Sequence, residues 1–105
     1  RDYGRFGVFM LTGGKLGEKS VLPPNWVNEA TAQHIKEPQF SYGYLWWTGP
    51  DSYTALGIHG QGIFIVPEQK LVIVINSAWP VPFDLERFLR QGQFLKAIVE
   101  EAKSV

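Results

Sequence analysis

Apolar residues recur at spacings of three and four over residues 2–12, DYGRFGVFMLT, where Phe6, Phe9 and Met10 fall on one side. This period predicts a helix. Asp2 suits its N-cap, and Gly13-Gly14 stands where a left-handed C-cap is wanted. KLGEKSV then reads as a polar connector. A second helix is predicted over 23–34, with Pro23-Pro24 in its first turn, Trp26, Val27 and Ala30 on one side, and an end near Gln33 to Ile35. From there the period changes. FSYGYLWWT is rich in aromatics, and a strand is predicted over 42–48 with Tyr42, Tyr44 and Trp46 on one face and Leu45 and Trp47 on the other. Gly49-Pro50-Asp51-Ser52 is a turn. Apolar runs over 60–66 and 70–77 flank Pro67-Glu68, which predicts an antiparallel hairpin. Leu71 to Ile75 leaves no polar face, so that strand is predicted to be covered on both sides. Asp84 can cap a last helix over 85–103, whose stripe of Leu85, Phe88, Leu95, Ile98, Val99 and Ala102 is interrupted at Gly92, where a bend or a close sheet contact is predicted.

Two helices, three strands and a helix make an α+β pattern, an antiparallel sheet with helices laid on it. Three strands with two apolar faces are incomplete, because one helix cannot cover both faces and the sheet edges stay open. Arg1-Asp2-Tyr3-Gly4 opens directly into a helical pattern. The whole of 1–105 is therefore read as a single segment of a larger domain, and in isolation it is expected to self-associate or to meet a partner chain.

Charge narrows the partners. Ten basic and ten acidic residues cancel, so the chain offers no field for nucleic acid or an anionic membrane. No apolar run reaches the roughly 20 residues needed to span a bilayer. Cysteine is absent, and His34 and His59 are far apart, so thiolate and histidine metal sites are not expected. No cofactor is expected either.

One stretch resists the pattern. YTALGIHGQGIFIVP puts Gly57, Gly60 and Gly62 at the mouth of the best strand, although glycine weakens strands. Either the backbone bends there or something approaches it closely. RDYGRFGVFMLTGGKLGEKSVLPPNWVNEAT, YGYLWWT and ALGIHGQGIFIVPEQKLVIVINSAW together resemble the C-terminal part of penicillin-recognising serine hydrolases. The resemblance is to the class C β-lactamase-like esterases and amidases, including the 6-aminohexanoate-dimer hydrolase type. It covers about Arg1 to Pro80 and implies the C-terminal part of a β-lactamase/transpeptidase-like fold in a bacterial cytoplasm or periplasm. Its implied ligand is a small-molecule ester or amide, bound together with the rest of the parent protein.

In that family the nucleophile is the serine of Ser-x-x-Lys, activated by the lysine and a tyrosine from a Tyr-x-Asn-type motif. The third motif, Lys-Thr-Gly in β-lactamases, falls here on Ala55-Leu56-Gly57. The resemblance then implies that Ile58, after the motif glycine, gives a backbone N–H of the oxyanion hole, with Gly57 admitting substrate to the backbone and Gly60 and Gly62 letting the strand bend. Ala55 in the lysine position counts against β-lactamase activity. His59 reads as a structural or supporting histidine, with substrate contact or general-base chemistry as the alternatives. Gln61 is a candidate for contacting substrate or for orienting the loop, and Tyr44 and Trp47 for lining the cleft, with Trp79 behind them. His34 reads as a solvated helix-end residue. None of Ser20, Ser41, Ser52, Ser77 and Ser104 begins Ser-x-x-Lys, and no Tyr-x-Asn is present. The chain thus encodes one wall of an active site. The alternatives are a non-catalytic binding module that holds a peptide or glycan on its aromatics, and an inactive penicillin-binding homologue acting as a sensor.

Overall fold

A computed structural model describes residues 1–37 and 41–104. The elements are helix α1 (Asp2–Leu11), a two-stranded hairpin of β1 (Lys15–Leu16) and β2 (Lys19–Ser20), helix α2 (Trp26–Ala30), strands β3 (Ile35–Lys36), β4 (Ser41–Tyr42), β5 (Trp47–Thr48), β6 (Tyr53–Leu56), β7 (Gly62–Val66) and β8 (Leu71–Ile75), and helix α3 (Leu85–Lys103). The strands β3 to β8 form one six-stranded sheet in chain order, and every pairing is antiparallel. The fold is α+β.

α1 ends where its glycines allow it to. Gly13 and Gly14 take φ of 81° and 80°, and the Gly14 N–H returns to the Phe9 carbonyl at 2.9 Å, closing the last turn. Arg1, not Asp2, is the N-cap residue, and Asp2 instead pairs with Arg5 inside the first turn. The polar connector is the β1–β2 hairpin, with Gly17 at a φ of 61°.

The helix predicted over 23–34 is cut to the five residues of α2. Asn25 is left-handed, at a φ of 65°, so Pro23-Pro24 lie outside the helix. At the other end the Ala30 carbonyl accepts the Tyr44 N–H at 2.8 Å, and Ile35–Lys36 are drawn into β3 against β4. The strand predicted over 42–48 is likewise two strands and a tight turn. Gly43 N–H donates to the Trp46 carbonyl at 2.8 Å, Leu45 is left-handed at 69°, and Tyr42 pairs with Trp47. Of the stretch FSYGYLWWT, Phe40 lies outside the described residues. The run predicted as a strand from residue 60 begins at Gly62, and β8 stops at Ile75 rather than residue 77.

Register settles the two faces. Tyr53 is opposite Ile65, and Ile65 opposite Val72; Ala55 is opposite Ile63, and Ile63 opposite Val74. Opposed residues share a face, and on this one sits the core of Met10, Ala30, Trp46, Tyr53 and Ile65 under α1 and α2. α1 comes close through Gly7, where a Cβ would strike Val72. The other face carries Trp47, Thr54 and Phe64, one behind another, and meets α3. That contact is loose. No residue of α3 is buried, and a cavity of about 580 Å³ lies between Phe88, Leu89 and Leu95 of α3 and the sheet. β8 is not enclosed as predicted; it is the edge strand, and all five of its residues are only half-buried. α3 runs as one helix through Gly92, where a Cβ would meet no atom within 4 Å, so the close sheet contact predicted there is not made.

Two stability predictions follow from these contacts. Gly43→Ala would drive a Cβ into the Ala30 and Ala32 carbonyl oxygens, backbone atoms that cannot swing aside. It is expected to destabilise the chain by about 1–3 kcal/mol in urea denaturation, whereas Gly92→Ala, in open helix, should stabilise by about 0.5–1 kcal/mol. Tyr53 is 6% exposed, and burial pushes its phenol from 10.0 up to about 12. Since the folded state holds that proton more tightly, the stability is intact below pH 10.0 and is lost as the pH rises from there through about 12. The loss should reach about 2–3 kcal/mol. Denaturation series at pH 9 and 12 should show this drop in the native chain and a smaller one in Tyr53→Phe.

Candidate functional site

β6 is paired with β7 over all four of its residues but with β5 only at Tyr53 and Thr54. Beyond that point one edge is open. The Gly57 N–H donates to the Gln61 carbonyl at 2.9 Å, toward β7. N–H groups alternate between the edges of a strand, so that of Leu56 faces the open side. The chain then enters a 3-10 turn over Ile58–Gly60. The first N–H groups of any helical turn lack an intrahelical acceptor, and the Ile58 N–H has no acceptor among the described residues. The amides on either side are both engaged, Gly57 with Gln61 and His59 with the Pro82 carbonyl at 2.9 Å.

His59 holds this loop to the segment after β8. It is left-handed (φ 66°, ψ 22°), a conformation that costs a non-glycine residue about 1–2 kcal/mol. Four hydrogen bonds compensate. Its N–H reaches Pro82, its carbonyl accepts from the Trp79 N–H at 2.9 Å and the Ser77 hydroxyl at 3.5 Å, and its Nδ1 lies 2.8 Å from the Trp79 carbonyl. A carbonyl only accepts, so Nδ1 carries the proton. Gln91 of α3 donates from Nε2 to the Gly60 carbonyl at 3.0 Å and closes the loop from the other side.

The glycines are explained by side chains rather than by a visitor. A Cβ on Gly57 would lie 2.6 Å from Gln61 Cγ, and one on Gly62 would lie 2.8 Å from the Phe64 ring. On Gly60, at a φ of 90°, it would collide with the Trp79 indole. Gln61 thus lies against one side of the Gly57 Cα. Gln61 Oε1 is itself buried without a hydrogen-bond partner among the described residues.

Beside Ile58 opens a cleft of about 410 Å³ between β6, the 79–83 segment and α3. Trp47, Gly57, Ile58 and Gln61 line it, together with Trp79, Phe83, Phe88 and Gln91. Three predicted residues are elsewhere. Ala55 is on the α1 face, lining a separate cleft of about 200 Å³ with Tyr3 and Asn76. His59 does not line the larger cleft, and its Nδ1 is committed to Trp79. Tyr44 stands at α2, stacked on His34 with ring centroids 4.3 Å apart, its hydroxyl donating to Glu29 at 3.2 Å. Partial desolvation and then the Glu29 carboxylate push that phenol above its ordinary value. The 42–48 turn is what carries Tyr44 away from Trp47. His34 is held as well, its Nε2 2.7 Å from the Glu29 carbonyl. Phe83, Phe88 and Gln91 escaped sequence reading because an amphipathic stripe does not say which sheet residues it meets. The two prolines around Val81 were the available signal for a chain reversal there.

No family model matches the chain. The 6-aminohexanoate-dimer hydrolase of Paenarthrobacter ureafaciens is 34% identical over 96 residues, which cover 78% of this chain and 24% of that protein. The chain thus spans about a quarter of the relative's length. The antiparallel α+β architecture is compatible with a fragment of a β-lactamase-like fold. No helix among the described residues is long and apolar enough to cross a membrane.

The loop's dependence on Trp79 can be tested directly. Gly60→Ala combines left-handed strain with displacement of the indole, and is expected to destabilise by about 2–4 kcal/mol in denaturant titrations. Gly49→Ala, whose built Cβ meets Ser52 only at ordinary distances of 3.6 and 3.7 Å, should change stability far less.

Proposed function

We propose that this chain is the C-terminal wall of a β-lactamase-like serine hydrolase acting on esters or amides. Its sheet presents the third-motif strand, β6, and the Ile58 N–H serves as one donor of the oxyanion hole. What carries the reading is that this amide has no partner among the described residues, between two engaged ones, where β6 has an open edge. A donor fixed by the loop's hydrogen bonds needs no reorganisation as the carbonyl oxygen gains charge, and such a donor contributes about 3–4 kcal/mol to the transition state. The second donor, the serine nucleophile and its base come from the remainder of the protein, since no Ser-x-x-Lys or Tyr-x-Asn occurs in these 105 residues. The half-buried β8 edge and, on α3, the exposed Leu85 and Phe94 are where that remainder, or a second copy of the isolated chain, would pack.

The backbone makes a clean test possible. Gly57 is extended (φ −101°, ψ 162°), as a residue before proline must be, and Ile58 opens a 3-10 turn, where proline is tolerated. Ile58→Pro therefore removes the N–H with little distortion. In the full-length protein it should lower kcat for p-nitrophenyl esters by about 10²–10³ with much less change in KM. The chain alone should not be labelled by a fluorophosphonate, whereas the full-length protein should be. Labelling of any serine in the isolated chain, or an Ile58→Pro enzyme of undiminished kcat, would refute the assignment.

A further inference from the structure

We propose, on the reading that the Ile58 N–H receives a substrate carbonyl oxygen, that the adjoining cleft holds an uncharged apolar group of the same substrate, an aryl ring or a compact aliphatic chain, and excludes a carboxylate. Four rings, Trp47, Trp79, Phe83 and Phe88, converge there with Leu56 and Ile58. No Asp, Glu, Lys, Arg or His lines the cleft among the described residues. The neighbouring arginines of α3 are already paired, Arg87 with Asp84 at 3.5 Å and Arg90 with Glu86 at 2.7 Å. Of the two glutamines in the wall, Gln91 is bound to Gly60 and Gln61 lies across Gly57.

Size and exposure agree with this occupant. An apolar cavity of about 150 Å³ holds benzene, and this one measures about 410 Å³. Ile58 is 67% exposed, Phe83 62% and Phe88 41%, so large apolar side chains stand half in water around one hollow. An apolar ligand group would remove that surface from solvent. A carboxylate entering the same hollow would lose its hydration and find no cation in the wall, only the neutral N–H groups of Gln61 and Trp79, which is unfavourable for a full charge. The cavity under α3 shares Trp47, Leu56, Phe88 and Gln91 with the cleft, so a longer chain has room to continue toward Lys96, which lines that cavity and not the cleft.

The test uses the full 105-residue chain and a matched pair of amides, N-benzylacetamide and 4-(acetamidomethyl)benzoate, which differ only in a carboxylate. Amide NMR titration should show the neutral compound shifting the Ile58 resonance and binding at least about tenfold more tightly than the anion, the scale expected for an uncompensated buried charge. Phe83→Lys, at an exposed wall position, should narrow or reverse that preference. Leu45→Lys, at the 83% exposed hairpin tip away from the cleft, should leave it unchanged. The proposal is overturned if the anion binds the unaltered chain as well as the neutral amide, if neither moves Ile58, or if both lysine variants act alike. This readout needs no chemistry, so it is independent of kcat in the Ile58→Pro enzyme. A neutral preference with undiminished kcat would sink only the hydrolase reading, and the reverse pair of results only the cleft.

Discussion

β6 is hydrogen-bonded along its full length on one side and along half its length on the other, and the candidate site grows from that difference. β5 begins only at Trp47, because Gly43 to Trp46 are folded into a turn that docks on the end of α2. Had the aromatic stretch run straight as one strand, it would have paired with Leu56 and filled the edge. The turn instead leaves the last residues of β6 with free backbone groups and swings Trp47 over the opening. A packing event at α2 thereby decides whether the β6 edge before Ile58 stays open.

The loop beyond β6 is held rigid by polar contacts at a place where strand pairing has stopped. His59 sits in a strained conformation, and its N–H, carbonyl and ring nitrogen all go to the 77–82 segment. Gln91 ties the same loop to α3. With its neighbours bound on both sides, the Ile58 amide has little freedom to turn. A preorganised donor is worth more to a developing oxyanion than one that must first be oriented. The glycines serve this arrangement indirectly, by admitting the side chains of Gln61, Trp79 and Phe64 against the backbone.

The two faces of the sheet are used differently. The α1 face is closed, with Ile65 fully buried and the Gly7 backbone laid on Val72. The α3 face is open, its helix propped on the rim with no buried residue. Dense packing on one side supplies stability, and the loose contact on the other leaves hollows beside the free amide.

Residue order alone determined much of this. The α+β class, α1 with its glycine stop, the β7–β8 hairpin around Pro67 and the long α3 all follow from periodicity and turn chemistry, which act over a few residues. The stretch from Gly57 to Gly62 also stood out, because glycines beside a strong apolar run are locally anomalous. What tertiary structure decided is everything that depends on a distant partner. Ala30 gives its carbonyl to Tyr44, which ends α2 and breaks the 42–48 strand. β4 captures Ile35–Lys36, although nothing near those two residues marks a strand. Gly60 faces Trp79, nineteen positions on, and Phe88 and Gln91 arrive from another helix. Hydrogen bonds and ring contacts between segments so far apart leave no period in the sequence, so the cleft could be read only after the chain had folded back on itself.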